Sequence, residues 1–306
     1  MTYEEFVEGL KEELEKLLGE GCQIRRETLQ KNNGIPCDSL ILTSPEWKAG
    51  PVLYLGELYQ GFCAGQSVKE LCEEIEKHLR VDLKAAPEEI IQGIPDFSRI
   101  KGRIMFRLVH AKKNQERLRS MVHCPFLDLT MEFCIFKEGE EGEMFYVTLP
   151  EKLMKKWGVD MEELSNQALK NMKKQFPAEV MSIEEAIMGE DINKGGAEFD
   201  SSRTLYILSN KKRMYGAGCI LYEGVLKEFS DQFKKDILIL PSSVHEMLLI
   251  PDEGVLKVAE LEEMVESINR TVVSPKEVLS GKVYRYCRTS GKIEFADGSY
   301  VYGEAV

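Results

Sequence analysis

Apolar residues recur every three to four positions across residues 3–18, at Phe6, Leu10, Leu14 and Leu17, with Glu and Lys between them. That period lays an apolar stripe along one face of a helix, and Gly19 and Gly21 supply its stop. The pattern then shifts to short extended runs. Residues 24–29 and 40–43 flank the turn signal Asn32-Asn33-Gly34 and read as a hairpin. Ser67, with Glu70 three residues on, forms a capping box that opens a helix to about Leu79 through Val68, Leu71, Cys72 and Ile75. Residues 81–96 carry Pro87, Gly93 and Pro95 and mark the expected junction between an N-terminal region, 1–95, and a C-terminal region, 96–306.

Past that junction, 104–109 predicts a strand and 112–121 a short basic helix. Residues 126–137 predict one long strand, alternating around Leu127, Leu129, Met131, Phe133 and Ile135, and 144–149 its return partner. Pro150 stands near the start of a helix that ends at Trp157-Gly158, Asp160 caps a helix over 161–174, and Ser182 caps one over 183–188. A polar loop follows over 189–202, then a strand over 204–208 and a basic turn, Lys211-Lys212-Arg213. Residues 215–222 fit neither period. A helix over 225–234, strands over 237–240 and 246–250, a helix over 258–269 and a strand pair, 282–287 with 292–302, complete the chain. Strands and helices mix without a steady βαβ rhythm. The expected class is therefore α+β, with mixed, largely antiparallel sheets packed with helices.

Composition narrows the function. With 43% hydrophobic residues in 306, the chain has material for a full core. A formal charge of −12 argues against nonspecific binding to nucleic acid. The first residues lack the basic and apolar regions of a secretory signal, and no apolar run approaches the roughly 20 residues that cross a bilayer. The eight cysteines include Cys134 and Cys219 inside apolar runs, which predicts reduced thiols, a cytoplasmic location and no membrane association.

Several segments carry a combined signature: Leu108-Val-His-Ala-Lys-Lys-Asn114, Phe126-Leu-Asp-Leu129, Tyr215-Gly-Ala217, Pro241-Ser-Ser-Val-His-Glu246, Glu277-Val-Leu-Ser280 and Val283-Tyr-Arg-Tyr286. Together they resemble a family of bacterial cytoplasmic proteins known as a domain of unknown function, over roughly residues 25–288. The order of elements after residue 100 is also similar to a second uncharacterised bacterial family. The resemblance implies a bacterial, cytoplasmic protein and carries no catalytic residues with it.

The residues themselves offer two candidate sites. His245 and Glu246 pair a side chain that titrates near neutrality with a carboxylate, and Ser242 and Ser243 lie beside them. Asn114 and Asp128 are weaker candidates for the same site. Alternation along a strand would send His245 and Glu246 to opposite faces, which favours a structural role. The second candidate is a basic stretch, Lys101, Arg103, Arg107, Lys112, Lys113, Arg117 and Arg119, against one acid, Glu116. It suits a phosphate-rich ligand or an acidic partner, or else a solvated face.

Other chemistries fail. His245-Glu-Met-Leu-Leu249 lacks the second histidine of a zinc protease, and His123-Cys124 with Cys134 lacks close ligand spacing. Gly216-Ala-Gly218 has neither the serine of a nucleophile elbow nor the Lys-Ser/Thr of a phosphate loop. No cofactor or metal is expected. The leading expectation is a non-catalytic accessory protein that binds a protein or small molecule. A hydrolase or transferase centred on His245 and Glu246, and phosphate or nucleic-acid binding through 101–121, are the alternatives.

Overall fold

Thr2 and Glu5 cap each other reciprocally, each side chain accepting the other's backbone N–H, and this opens the first helix, α1, Tyr3–Leu18. The computed structural model describes residues 1–19, 21–45, 51–85, 96–138, 144–188 and 205–299. They divide into two compact units, one drawn from 1–97 with 137–145, the other from 98–136 with 146–306.

In the first unit the stripe on α1 buries Phe6, Val7, Leu10 and Leu14. The expected hairpin forms as β1, Gln23–Gln30, and β2, Pro36–Thr43, in antiparallel register from Gln23 opposite Thr43 to Gln30 opposite Pro36. Asn33 takes the left-handed conformation (φ 62°) in the turn, which Asn tolerates better than most residues. A third strand, β3, Val52–Tyr54, pairs with β2 and leads into α2, Leu55–Cys63. The Ser67–Glu70 capping box opens α3, which runs from Val68 to Ala85, beyond its expected end. Leu40, Leu42, Leu55, Leu71, Cys72 and Ile75 close the core over α1, and Phe6 packs against the rings of Tyr59 and Phe62 at 5.2 and 5.1 Å. Each such aliphatic side chain contributes about 1.5–3 kcal/mol by leaving water.

The second unit holds two sheets. One joins β4, Ile104–His110, to β6, Leu129–Glu138, with β5, His123–Phe126, and β7, Met144–Thr148, also paired to β6. The other has six strands in the order β13-β12-β10-β11-β9-β8. These are β8, Ala178–Ser182, β9, Tyr206–Asn210, β10, Ile237–Ser243, β11, Glu246–Pro251, β12, Tyr284–Cys287, and β13, Lys292–Phe295. All its pairings are antiparallel, and the α+β class holds. The helix Val258–Thr271 covers Leu238, Leu240, Val283 and Ala296 with Leu261 and Val265. The helix Met161–Gln175, capped by Asp160 as expected, buries Asn171, whose Nδ2 donates to the Lys101 and Ile104 carbonyls at the entry to β4. Gly158, at φ 68°, ends the helix Glu151–Trp157 as expected.

Four expectations need correction. The single strand over 126–137 is two strands, broken by Leu127 (φ 53°) and Asp128. The basic helix over 112–121 shrinks to a 3₁₀ turn, Lys112–Asn114, and one helical turn, Gln115–Leu118, because the Asn114 amide bonds back to the His110 carbonyl. The strand expected over 237–240 runs on through Pro241 and Ser242 to Ser243, and the register shifts between Pro241 and Ser243 to admit an extra residue. The last strand pair is shorter than expected, Tyr284–Cys287 with Lys292–Phe295. The loop over 189–202 and most of the junction over 81–96 lie outside the described residues.

The segment that fitted neither period is a buried 3₁₀ helix, Gly216–Leu221, set between the two sheets of this unit. A Cβ on Gly216 would collide with Ser209 Oγ and come within 2.5 Å of the His245 carbonyl and 2.8 Å of the Asn210 nitrogen. A Cβ on Gly218 would meet the Phe106 ring of β4 at 3.0 Å. Gly216→Ala should therefore destabilise the protein by about 1–3 kcal/mol through overpacking against backbone. Chemical denaturation measures this, and exposed Gly102→Ala, with nothing near its Cβ, serves as the unperturbed comparison.

Candidate functional site

β4 and β6 are almost wholly buried, and each carries one charge into that burial. The register sets Arg107 directly opposite Glu132, which is fully inaccessible. Arg107 Nε donates to Glu132 Oε2 at 2.7 Å. Arg117, from the short helix Gln115–Leu118, donates through Nη1 to the other carboxylate oxygen and through Nη2 to Asn114 Oδ1 at 3.0 Å. Two guanidiniums on one carboxylate leave a net positive charge, in a place where an unpaired ion is costly.

Two tyrosines answer part of that charge. The Arg107 guanidinium stands 4.8 Å from the centre of the Tyr146 ring and 5.4 Å from that of Tyr215. Its Nη1 donates to the Tyr146 hydroxyl at 3.2 Å and reaches the Tyr215 hydroxyl at 3.5 Å. Burial works against the charge on Arg107. Glu132 and the phenols outweigh it and hold its pKa above the ordinary arginine value. Burial, then the neighbouring Tyr146, pushes the Tyr215 phenol well up, so it stays protonated at neutral pH.

Tyr215 carries the cluster on to His245. The two rings stack at 5.7 Å with 18° between their planes, and the Tyr215 N–H donates to His245 Nδ1 at 3.3 Å. That bond makes Nδ1 the acceptor and places the proton of the neutral ring on Nε2. The preceding turn wraps around buried Asn210, whose Oδ1 accepts from the amides of Lys212 and Met214 and whose Nδ2 donates to the Met214 carbonyl. On the other side, Ser209 Oγ donates to the His245 carbonyl at 2.8 Å, and Ser243 Oγ accepts the His245 N–H at 3.1 Å. Ser242 Oγ donates to Glu246 Oε1 at 3.1 Å.

Asp128 anchors a second knot. It accepts from Ser280 Oγ at 2.5 Å and from the Tyr284 hydroxyl at 2.6 Å, and its carbonyl accepts the Ala111 N–H at 3.0 Å. Burial, then Asp128, pushes the Tyr284 phenol well up. His110 lies close by with a buried, unpartnered Nδ1, and burial lowers its pKa against the pull of Asp128. The Val244 N–H donates to the Glu277 carbonyl and the Ala217 N–H to the Val244 carbonyl. Segments near 110, 128, 216, 244 and 280, far apart in sequence, thus bind one another through specific polar contacts.

The sequence candidates are distributed accordingly. Asn114 and His245 belong to one chain of contacts, through Arg117, Glu132, Arg107 and Tyr215. Asp128 belongs to the Ser280–Tyr284 knot, and Glu246 to Ser242. Within the basic stretch, Arg107 and Arg117 turn inward to Glu132, while Lys112, Lys113 and Arg119 are exposed. His123 Nδ1 lies 2.8 Å from the Met121 carbonyl, and among the described residues no three His, Cys, Asp or Glu side chains gather as metal ligands. Glu132, Tyr146 and Tyr215 escaped the sequence reading. The available signal was one cation in an apolar strand, Arg107, and one acid, Glu132, inside the apolar part of another, ahead of Lys137 and Glu138 at its end.

The comparisons with known proteins bear on this unit and on the first. The chain belongs to a family of unknown function (DUF5688). The family model matches residues 3–288, so the match begins at α1 and extends further toward the N-terminus than the signature segments. No curated protein and no solved structure matches the chain. Among the described residues no helix is long and apolar enough to cross a membrane.

Because His245 Nδ1 holds a backbone amide, its loss should act on stability. His245→Ala is expected to lower the unfolding free energy by about 1–3 kcal/mol, the effect of leaving the Tyr215 N–H unpaired. Denaturant titration beside Lys113→Ala, an exposed change expected to be neutral, provides the check.

Proposed function

We propose that this member of DUF5688 is a non-catalytic protein of the bacterial cytoplasm that binds a protein or small-molecule partner. Its binding face is formed by Tyr146, Tyr215 and His245 over the Arg107–Glu132–Arg117 cluster. The observation that carries this reading is where the groups of catalytic type place their hydrogen bonds. His245 Nδ1 accepts from Tyr215, Ser242 Oγ donates to Glu246, Ser243 Oγ accepts from His245, and Asp128 takes both Ser280 and Tyr284. No serine in this set faces His245 as a nucleophile faces its base. What remains open to a partner is the ring of Tyr146, 41% exposed, beside the half-buried rings of Tyr215 and His245. A tyrosine over a cation, with an edge-to-face tyrosine behind it at 5.7 Å, is the kind of anchor that binding surfaces favour.

All eight cysteines are free thiols, in keeping with a reducing compartment, and burial pushes Cys72, Cys134 and Cys219 up to about 12, which makes those three poor nucleophiles. The enzyme reading, a hydrolase or transferase on His245 and Glu246, needs those two residues to act together, and they are bonded to different partners. Phosphate or nucleic-acid binding through 101–121 retains Lys101, Arg103, Lys112, Lys113 and Arg119, without the two arginines held by Glu132.

A photo-crosslinking side chain placed at position 146 in the producing cell tests the binding face. Position 272 serves as control, since Val272 is 78% exposed in the same unit. The expected result is a discrete adduct from position 146 and none from 272. Equal labelling from both positions would remove this binding face, and ester or phosphoester turnover by wild type that a folded His245→Ala variant lacks would replace this reading with the enzymatic one.

A further inference from the structure

Arg107 is nine-tenths buried, and its donors are unevenly used. Nε is held by Glu132, and Nη1 faces the hydroxyls of Tyr146 and Tyr215. Among the described residues Nη2 has no hydrogen-bond partner, and the side chain keeps 10% of its surface exposed. A guanidinium with two of its three nitrogens bonded inside the protein and the third uncommitted is arranged as a donor to something outside the chain.

The charge balance points the same way. Glu132 is shared by two arginines, so one positive charge remains, and the tyrosine faces offset it in part. One further negative charge completes the balance. The walls beside Arg107 are aromatic, with Tyr146 edge-to-face on Tyr215 and His245 stacked on the far side of the same group. They suit an apolar or aryl body behind the charged end.

We propose that Arg107 Nη2, with the hydroxyl of Tyr146, binds the carboxylate of an apolar or aryl monoanion. The proposal rests on the binding face described above and names the chemistry of its ligand. A planar carboxylate offers two acceptor oxygens, one for the guanidinium and one for a phenol. Its single charge cancels the residual positive charge, which a phosphate dianion would exceed. The same carboxylate chemistry is available from a free small acid or from an acidic side chain presented by a protein.

The test is a titration of the folded, full-length protein followed at the Tyr215 backbone amide by NMR. The probes are benzoate, its neutral isostere benzamide, inorganic phosphate, and a blocked Gly-Glu-Gly peptide. Saturable shifts are expected with benzoate or the peptide, the tighter of the two identifying the source of the carboxylate, and none with benzamide. Tyr146→Phe, which removes only the hydroxyl that accepts from Arg107 Nη1, should weaken the binding about tenfold, and Arg107→Lys should weaken it more. Arg107→Lys disturbs a buried ion pair, so Tyr146→Phe decides the matter if the lysine variant fails to fold. Benzamide shifting the amide as far as benzoate, phosphate binding more tightly than either carboxylate, or Tyr146→Phe binding like wild type would each overturn the proposal. A crosslink from position 146 without any carboxylate response would leave the binding face standing and remove only its ligand class.

Discussion

The second unit depends on one carboxylate. Glu132 sits in the middle of β6 with no access to solvent, and a lone buried carboxylate is too costly to remain ionised. Arg107, across the strand pair, and Arg117, from the helical turn beyond β4, each take one of its oxygens. Removing Glu132 leaves two guanidiniums without their carboxylate, and removing either arginine leaves one carboxylate oxygen unmet, so the placement of β4, β6 and the 112–118 segment is tied to this contact. Arg107 then extends the constraint outward, since its position over Tyr146 and Tyr215 fixes the rings that adjoin His245.

That constraint reaches the six-stranded sheet by way of the Gly216–Leu221 segment. Tyr215, in left-handed conformation at φ 50°, bonds the β10–β11 turn through its amide and Arg107 through its ring and hydroxyl. The next residue is a glycine because the Ser209 hydroxyl, the His245 carbonyl and the Asn210 amide leave no room for a side chain. Asp128 makes a parallel tie, joining the β5–β6 turn to Tyr284 of the other sheet and to Ser280 just before that strand. The polar residues at the sheet ends therefore act first as fasteners within this unit, and binding chemistry is confined to what they leave uncommitted.

The elements legible in the sequence are those whose determinants lie within a turn or two of themselves. The stripe on α1, the Ser67–Glu70 box, the Asn33-Gly34 turn, the Asp160 cap and the Gly158 stop are all local, and all formed where the pattern put them. The break at 127–128 was not legible because its determinants are distant, whereas the one at 112–114 turns on a local bond, Asn114 to the His110 carbonyl four residues back, which the helical period does not reveal. Asp128 is held by residues 152 and 156 positions away, and no glycine or proline marks its turn. The site was half legible for the same reason. His245, Asn114, Arg107 and Arg117 stood out by type, whereas the Tyr215 contact that links His245 to Arg107 arises only on folding. Of the basic stretch, Arg107 and Arg117 turn inward, while Lys101, Lys112, Lys113 and Arg119 stay exposed.

The direct test of this account is a substitution cycle at the buried cluster, read as free energy of unfolding. Glu132→Leu alone should destabilise by about 3–5 kcal/mol, because two guanidiniums then stay buried without their carboxylate. Adding Arg107→Met and Arg117→Met to that variant should recover most of the loss, since an apolar cluster of similar volume replaces the ionic one. Losses that simply add across the three substitutions, or a Glu132→Leu protein as stable as wild type, would contradict the claim that this carboxylate organises the unit.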